Sequence, residues 1–363
     1  MSQEKPWLDS YPEGVPHVID ASQYVSLSHM LEDAFSQYAH RAAFDCMGRQ
    51  LSFKELDQAS QQFAAYLQSL GLSQGARVAL MMPNVLQYPI ALAGTLRAGY
   101  VVVNVNPLYT PRELAYQLKD SGATAIVVLE NFAATLQEVM GHSAIQHVVL
   151  ASIGDLLGPW YGRWMTFAVR HLAKLVPEFE LPLDGGRTVT SFKKAISQGR
   201  QLSLKAVPQT LDDIAFLQYT GGTTGLSKGA VLTHRNIVAA ILQAEGWFAP
   251  ALTSVGDLRK VNSIAALPLY HIFGFNTNMM LSLRMGGCNI LIANPRDLTK
   301  IFTTPEYAAW RSLRESDDAR YLAMCMPRFL ARLPYGAKTN PVDEFAFEED
   351  TEGASSDKYC WVI

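Results

Sequence analysis

Between Leu51 and Ala151 the apolar residues switch repeatedly between helical and strand spacing, and this alternation constrains the fold more than any other feature. "LSFKELDQASQQFAAYLQSLG" places Phe53, Leu56, Phe63 and Leu67 at roughly helical intervals. Ser52 and Glu55 give it a capping-box start, and Gly71 a stop. "RVALMM" reads as a buried strand, and "NVLQYPIALAGTLRAG" as a helix opened by Asn84 despite Pro89. "YVVVNV" is almost continuously apolar, as a strand covered on both faces should be. "TPRELAYQLKDSG" has Thr110 as cap, Pro111 at the first helical position and Glu113 three residues after the cap. "TAIVVL" and "HVVLA" add two strands. The expectation is an α/β domain of layered helices around largely parallel sheets.

The chain has 363 residues, room for one large domain or two to three ordinary ones. A net charge of -3 offers no electrostatic case for nucleic acid as a partner. Cys46, Cys288, Cys325 and Cys360 are scattered, without a CxxC pair, and read as reduced thiols of a cytosolic protein. The opening "MSQEKPWLDSYPEG" lacks the apolar core of a signal peptide. No apolar run reaches the roughly 18 residues of a membrane span. The expected location is cytoplasmic.

Residues 152–208 are less regular. "WYGRWMTFAVRHLAKLVP" sets Arg163, Arg170 and Lys174 near one helical face, with Trp164, Ala168, Leu172 and Leu175 broadly opposite. Two readings stay open for 160–176. One is a partly buried surface helix with solvated basic residues, and the other is a basic amphipathic helix lying on an anionic membrane surface, peripheral to the inner membrane.

"QTLDDIAFLQYT" then leads by a strand into "GGTTGLSKGAVLTHRN", "VNSIAALPLYHIFGF" supplies a strand and a loop, and "CNILIA" a further strand. Gly221, Gly222 and Gly225 let backbone amides turn toward one point. Thr220, Thr223, Thr224 and Ser227 surround that turn with hydroxyls, and Lys228 adds a cation. Such a nest suits phosphate oxygens. It is not a Walker A loop, because Ser227 stands before Lys228 where glycine should be, and Gly229 follows where Ser or Thr should be. A GxGxxG fingerprint is also absent from it. On spacing alone, a Gly/Thr turn without a ligand remains the alternative.

"YTGGTTGLSKGAVLTHRN" resembles the phosphate-loop signature of the adenylate-forming superfamily, and "LPLYHIFGF" resembles that family's next core motif. "MMPNVLQYPIALAGTLRAGYVVVNVNPLYTPRELAYQLKDSGA" and the opening "WLDSYPEGVPHVID" resemble the bacterial long-chain fatty acyl-CoA ligases in particular. The likeness runs from about residue 5 to about residue 298. It implies the N-terminal part of the ligase fold and an ATP-dependent activation of a long-chain fatty acid to acyl-AMP and then acyl-CoA. ATP, Mg²⁺ and CoA are the implied cofactors and co-substrates. By position, Tyr219, Thr220, Gly221, Gly222, Thr223, Thr224, Gly225, Leu226, Ser227 and Lys228 hold the ATP phosphates. His271 and Phe273 line the boundary between adenylate and acyl pocket.

Beyond residue 298 the resemblance implies an aromatic-Gly-x-Thr-Glu stretch for Mg²⁺ and adenine, a Thr-Gly-Asp stretch for the ribose, and a small domain with the adenylation lysine. None of these is found; "PYGAKTN" is the nearest echo and lacks the Glu. From about Thr303 the strand–helix alternation stops. "PEYAAWRSLRESDDARYLAMCMPRFLARLPYGAKTNPVDEFAFEED", continuing to "DKYCW", resembles instead the large subunit of the type VI secretion contractile sheath. The expectation is a chimera, with a truncated ligase domain over 1–298 and a sheath-like α+β fragment over 299–363 joined at "PRDLTKIF". The chain would then hold no complete catalytic set and would not be competent as a ligase. The tail would not complete the ligase sheet, and sheath subunits would be partners only if it functions.

Overall fold

The computed structural model describes residues 5–220, 227–250 and 262–293, and the backbone of 251–253 and 321–322. A hairpin of β1 (Ala42–Cys46) and β2 (Arg49–Ser52) runs into helix α2 (Phe53–Ser69), which follows α1 (Leu27–Gln37). The chain then alternates: β3 (Arg77–Met81), α3 (Gln87–Arg97), β4 (Val101–Asn104), α4 (Pro111–Ser121), β5 (Ala125–Leu129), α5 (Ala133–Met140), β6 (His147–Ala151). After helix α6 (Pro159–Phe167) come β7 (Thr188–Ser191), α7 (Phe192–Gly199), β8 (Ile214–Thr220), β9 (Lys228–Thr233) and α8 (His234–Thr253). The last strands are β10 (Asn262–Ala265), β11 (Cys288–Leu291) and β12 (Tyr321–Leu322).

Two sheets result. The seven-stranded one has the order β7-β6-β5-β3-β4-β8-β9 and is parallel except for the β8–β9 hairpin. Every residue of β4 and β5 is buried, which is why these strands are almost unbroken apolar text. The second sheet has the order β12-β10-β11-β1-β2. The expected layered α/β architecture is therefore present.

Local signals match the helix starts. Ser52 Oγ accepts from Glu55 N at 3.1 Å while Glu55 Oε2 accepts from Ser52 N at 2.8 Å. Thr110 and Glu113 close the same box on α4, with Pro111 at its first position.

Three expectations need correction. Asn84 does not open α3, which starts at Gln87 with no side-chain cap. Its amide is buried and bonded to the 265–269 backbone. Pro89 is tolerated because it falls in the first turn, where backbone N–H groups lack intrahelical acceptors.

The segment 160–176 also differs from its helical reading. It is an α-helix only to Phe167, followed by a π-turn over Ala168–Leu172. Its apolar side chains Trp164, Leu172 and Leu175 are exposed rather than packed inward. The inner contact is made by Gly162 against Gly154, so close that a Cβ on Gly162 would lie 2.1 Å from the Gly154 carbonyl oxygen. Arg170 remains exposed, as expected, yet its guanidinium pairs with the buried carboxylate of Glu130.

Finally, the tail does touch a sheet. Tyr321–Leu322 pairs in parallel with Asn262 and Ser263 of β10. An open strand edge presents free N–H and C=O groups, which a short extended segment can satisfy. The rest of 294–363 lies outside the described residues.

His234, which closes the glycine-rich stretch in the sequence, serves the core. It is 2% exposed, and its Nδ1 accepts from Leu27 N at 3.0 Å at the start of α1. Burial pushes its pKa down to about 4 from 6.5. The unfolded chain therefore takes up a proton below pH 6.5 that the folded chain refuses until about pH 4. Stability attributable to this group is intact above pH 6.5 and falls on acidification, by on the order of 2 kcal/mol between pH 7 and 5. Urea unfolding at the two pH values should show a smaller pH-dependent loss in His234→Gln than in the parent chain. Equal losses would assign the acid sensitivity to other groups.

Candidate functional site

The parallel strands β3, β4 and β8 end on one side of the large sheet, the side where open α/β sheets hold ligands. There the β8–β9 hairpin sets Thr220 opposite Lys228 and Tyr219 opposite Gly229. The connection between them is the glycine-rich turn. Gly221, Gly222, Thr223, Thr224, Gly225 and Leu226 lie outside the described residues. The two ends of the turn are described. Thr220 and Lys228 are exposed at its mouth, and Ser227 is partly buried and hydrogen-bonded to Tyr109.

Tyr219 braces the hairpin from below. Its hydroxyl donates to Asp120 Oδ2 at 2.6 Å, and burial together with that carboxylate pushes its pKa far up, so it stays a neutral donor. Its ring lies against Gly229, where a Cβ would come within 3.0 Å of the ring carbon Cζ. The glycine after Lys228, out of place for a Walker loop, is thus the space the tyrosine needs.

The second motif, "LPLYHIFGF", leaves β10 and is bolted to the same strand ends by a buried polar chain. Gln218 Nε2 donates to the Tyr270 carbonyl at 3.0 Å, and Gln218 Oε1 accepts from Asn104 Nδ2 at 3.1 Å. Tyr88 donates within reach of both Asn104 Oδ1 (2.9 Å) and the Leu269 carbonyl (2.7 Å). Asn84 donates to the carbonyls of Ala265 (2.8 Å) and Leu267 (2.9 Å) and accepts from Leu269 N (2.8 Å). His271 is exposed directly after this clamp, its Nδ1 accepting from Phe273 N at 3.4 Å; the Phe273 side chain is 39% exposed. Gln218, two residues before Thr220, therefore joins the two motifs, and the sequence reading named neither it nor Asn104. The available signal was a polar residue inside a buried or mostly buried apolar strand, as in "VVVN" and "FLQYT".

Hydroxyls of Thr220 and Ser227 with the Lys228 ammonium form a donor set for an anion. They do not form a metal site. Among the described residues no group of three or more His, Cys, Asp or Glu side chains could hold an ion, and Asp120 is engaged by Tyr219. The described donors therefore fit polyphosphate oxygens and do not fit Mg²⁺ by themselves.

A sequence profile described as AMP-binding enzyme matches residues 31–308. The chain belongs to the AMP-binding enzyme family. The long-chain-fatty-acid–CoA ligase of Escherichia coli O157:H7 is 48% identical over 296 residues, covering 81% of this chain and 51% of that protein. This family member thus spans about half the length of the curated ligases it matches. The crystal structure of a long-chain-fatty-acid-CoA ligase from Archaeoglobus fulgidus superposes with a TM-score of 0.61 at 19% identity, over 87% of this chain and 60% of that one. At that identity the likeness speaks for the fold.

A second kinship is present in the same chain. The type VI secretion system sheath protein TssC1 of Pseudomonas aeruginosa is 77% identical over 112 residues, 31% of this chain and 21% of that protein. The ligase-like and sheath-like resemblances read in the sequence are both present, as a chimera requires. The two matched lengths together exceed the chain, so they overlap, and the family profile itself reaches past residue 298.

Proposed function

We propose that the ligase-like portion, placed here at 1–298, is the phosphate-holding and acyl-boundary part of an ATP-dependent long-chain fatty acid:CoA ligase. The observation that carries this reading is the Gln218–Tyr270 hydrogen bond, which fixes the end of the glycine-rich hairpin beside the His271 loop. In the reaction a fatty carboxylate attacks the α-phosphorus of ATP, pyrophosphate leaves, and the CoA thiolate displaces AMP from the acyl-adenylate. Thr220, Ser227 and Lys228 would hold the leaving β- and γ-phosphates by charge-assisted hydrogen bonds, joined by residues 221–226 of the turn. Exposed His271 and Phe273 would face the junction of adenylate and acyl chain. Mg²⁺ bound to ATP would neutralise phosphate charge. The cytoplasm, beside the inner membrane, is the compartment proposed for this chemistry.

These 363 residues are proposed to bind nucleotide weakly and not to complete the reaction, because the C-terminal part of the chain resembles a sheath protein and the chain spans about half of its ligase relatives. Binding tests the site directly. Titration calorimetry should give a dissociation constant for MgATP weaker than low micromolar. Lys228→Ala should weaken it by roughly tenfold or more, since a charged hydrogen bond is worth about 1.5–3 kcal/mol. Equal affinity in parent and variant would remove Lys228 from the site.

The sheath-like portion favours a second reading, in which the chain associates with sheath subunits. It amounts to about a fifth of its relative and offers no ligand motif, so the ligase reading leads. Co-sedimentation with assembled sheath tubes would support it, and recovery only in the supernatant would count against it.

A further inference from the structure

A carboxylate stands at the wrong end of α4. Asp120 lies in the last turn of this helix, where unpaired carbonyls concentrate negative charge and a basic side chain is favoured. Lys119 beside it obeys that preference. The partner that Asp120 finds is the Tyr219 hydroxyl, which donates to Oδ2 at 2.6 Å from a ring buried in the sheet core. Tyr219 is one residue before Thr220 on β8 and directly opposite Gly229, while Thr220 faces Lys228. The ring leaves Gly229 no room for a Cβ. Fixing the ring therefore fixes the last two rungs of the hairpin, which carry the Thr220 hydroxyl and the Lys228 ammonium. The far end of the turn is tied to the same helix, because Tyr109, just ahead of the Thr110 cap, hydrogen-bonds Ser227. Helix α4 is a firm base for both ties. Its capping box is closed, Leu114 and Leu118 are fully buried, and Gln117 Nε2 donates to the Asn104 carbonyl at 2.8 Å.

We propose that Asp120 is a positioning residue for the anion-facing donors, setting Thr220 and Lys228 through the Tyr219 ring. The inference rests on the reading of those two side chains as phosphate donors. A hydrogen bond to a charged acceptor is short and strong, so it holds the ring in one attitude. An ionised carboxylate only accepts, which leaves the tyrosine as donor. Burial and the carboxylate both oppose ionisation of the Tyr219 hydroxyl, so the donor keeps its proton. A second role for Asp120 is separable by sign. Acting only through space, its negative charge repels phosphate, and removing it tightens nucleotide binding. Acting through Tyr219, its removal weakens binding.

The test uses the full 363-residue chain. Asp120→Ala should weaken MgATP binding in calorimetry by roughly tenfold, the order that one hydrogen bond to a charged acceptor supplies. Asp120→Asn, whose amide oxygen still accepts, should recover most of that loss. Tyr219→Phe should match Asp120→Ala, and the double variant should be no worse than either, because one contact can be lost only once. Without nucleotide, amide exchange over 218–220 and 228–230 should quicken in Asp120→Ala by roughly tenfold and stay near the parent rate in Asp120→Asn. Additive losses in the double variant overturn the proposal, as do tighter binding in Asp120→Ala or hairpin exchange that it leaves unchanged. Lys228→Ala keeps the two readings apart. If it leaves affinity unchanged, the phosphate reading fails, and the exchange rates still decide whether Asp120 holds the hairpin ends. If it weakens binding and Asp120→Ala does not, only the positioning role fails.

Discussion

Asn84→Ala is expected to destabilise the fold by on the order of 3 kcal/mol, more than any other single polar change discussed here. Asn84 is 2% exposed and satisfies the carbonyls of Ala265 and Leu267 and the amide of Leu269 at once. Alanine leaves the Leu267 carbonyl and the buried Leu269 amide without these partners, each costing about 1–3 kcal/mol, while the Ala265 carbonyl keeps its bond from Ile292 N at 3.3 Å. Part of the loss is offset because Tyr88 still holds the Leu269 carbonyl. The loop released is the one that presents His271, so local protection should fall there first. Urea unfolding measures the total, and amide exchange over 265–271 measures the local part. A loss below about 1 kcal/mol with unchanged exchange would mean the loop is held by something other than Asn84.

The same residue marks the boundary of what the sequence discloses. Asparagine before a helical pattern is a sound local cap signal, and Ser52 and Thr110 obey the rule because their partners stand three residues away. The partners of Asn84 stand 181 to 185 residues away, and no local spacing encodes them. Strands β3 to β6 were readable because burial on both faces leaves continuous apolar text. The 160–175 segment misled for the opposite reason. Helical periodicity assigns the apolar stripe to the core, but here the Gly162–Gly154 contact, Met165 and Thr166 make the packed face and leave Trp164, Leu172 and Leu175 outside.

At the site, the glycine turn and the His271 loop stood out as separate motifs. What joins them did not. Gln218 and Asn104 are single polar letters inside apolar strands, and only the parallel pairing of β4 with β8, Asn104 opposite Gln218, brings them together. Burying two amides in a sheet interior is costly unless they satisfy one another, and here they do. Gln218→Leu should therefore be tolerated poorly, with Asn104 losing its acceptor.

The other large effect concerns turnover. Adenylation requires the carboxylate and the α-phosphorus in line, the pyrophosphate neutralised and water excluded. The described residues supply two hydroxyls and one ammonium at the hairpin mouth, and a histidine beside it. No carboxylate cluster for Mg²⁺ stands among them, and the sequence after residue 298 contains no aromatic-Gly-x-Thr-Glu or Thr-Gly-Asp stretch. Losing several such groups together removes far more than one group's share, and a rate at least a thousandfold below a full-length ligase is the order of magnitude expected. The direct measurement is mass-spectrometric detection of oleoyl-AMP and oleoyl-CoA from the purified 363-residue chain with oleate, ATP, Mg²⁺ and CoA, beside a full-length relative. The expected result is weak MgATP binding by calorimetry and neither product. Turnover comparable to the full-length enzyme would contradict the account, and would mean that the sheath-like residues supply the missing catalytic groups.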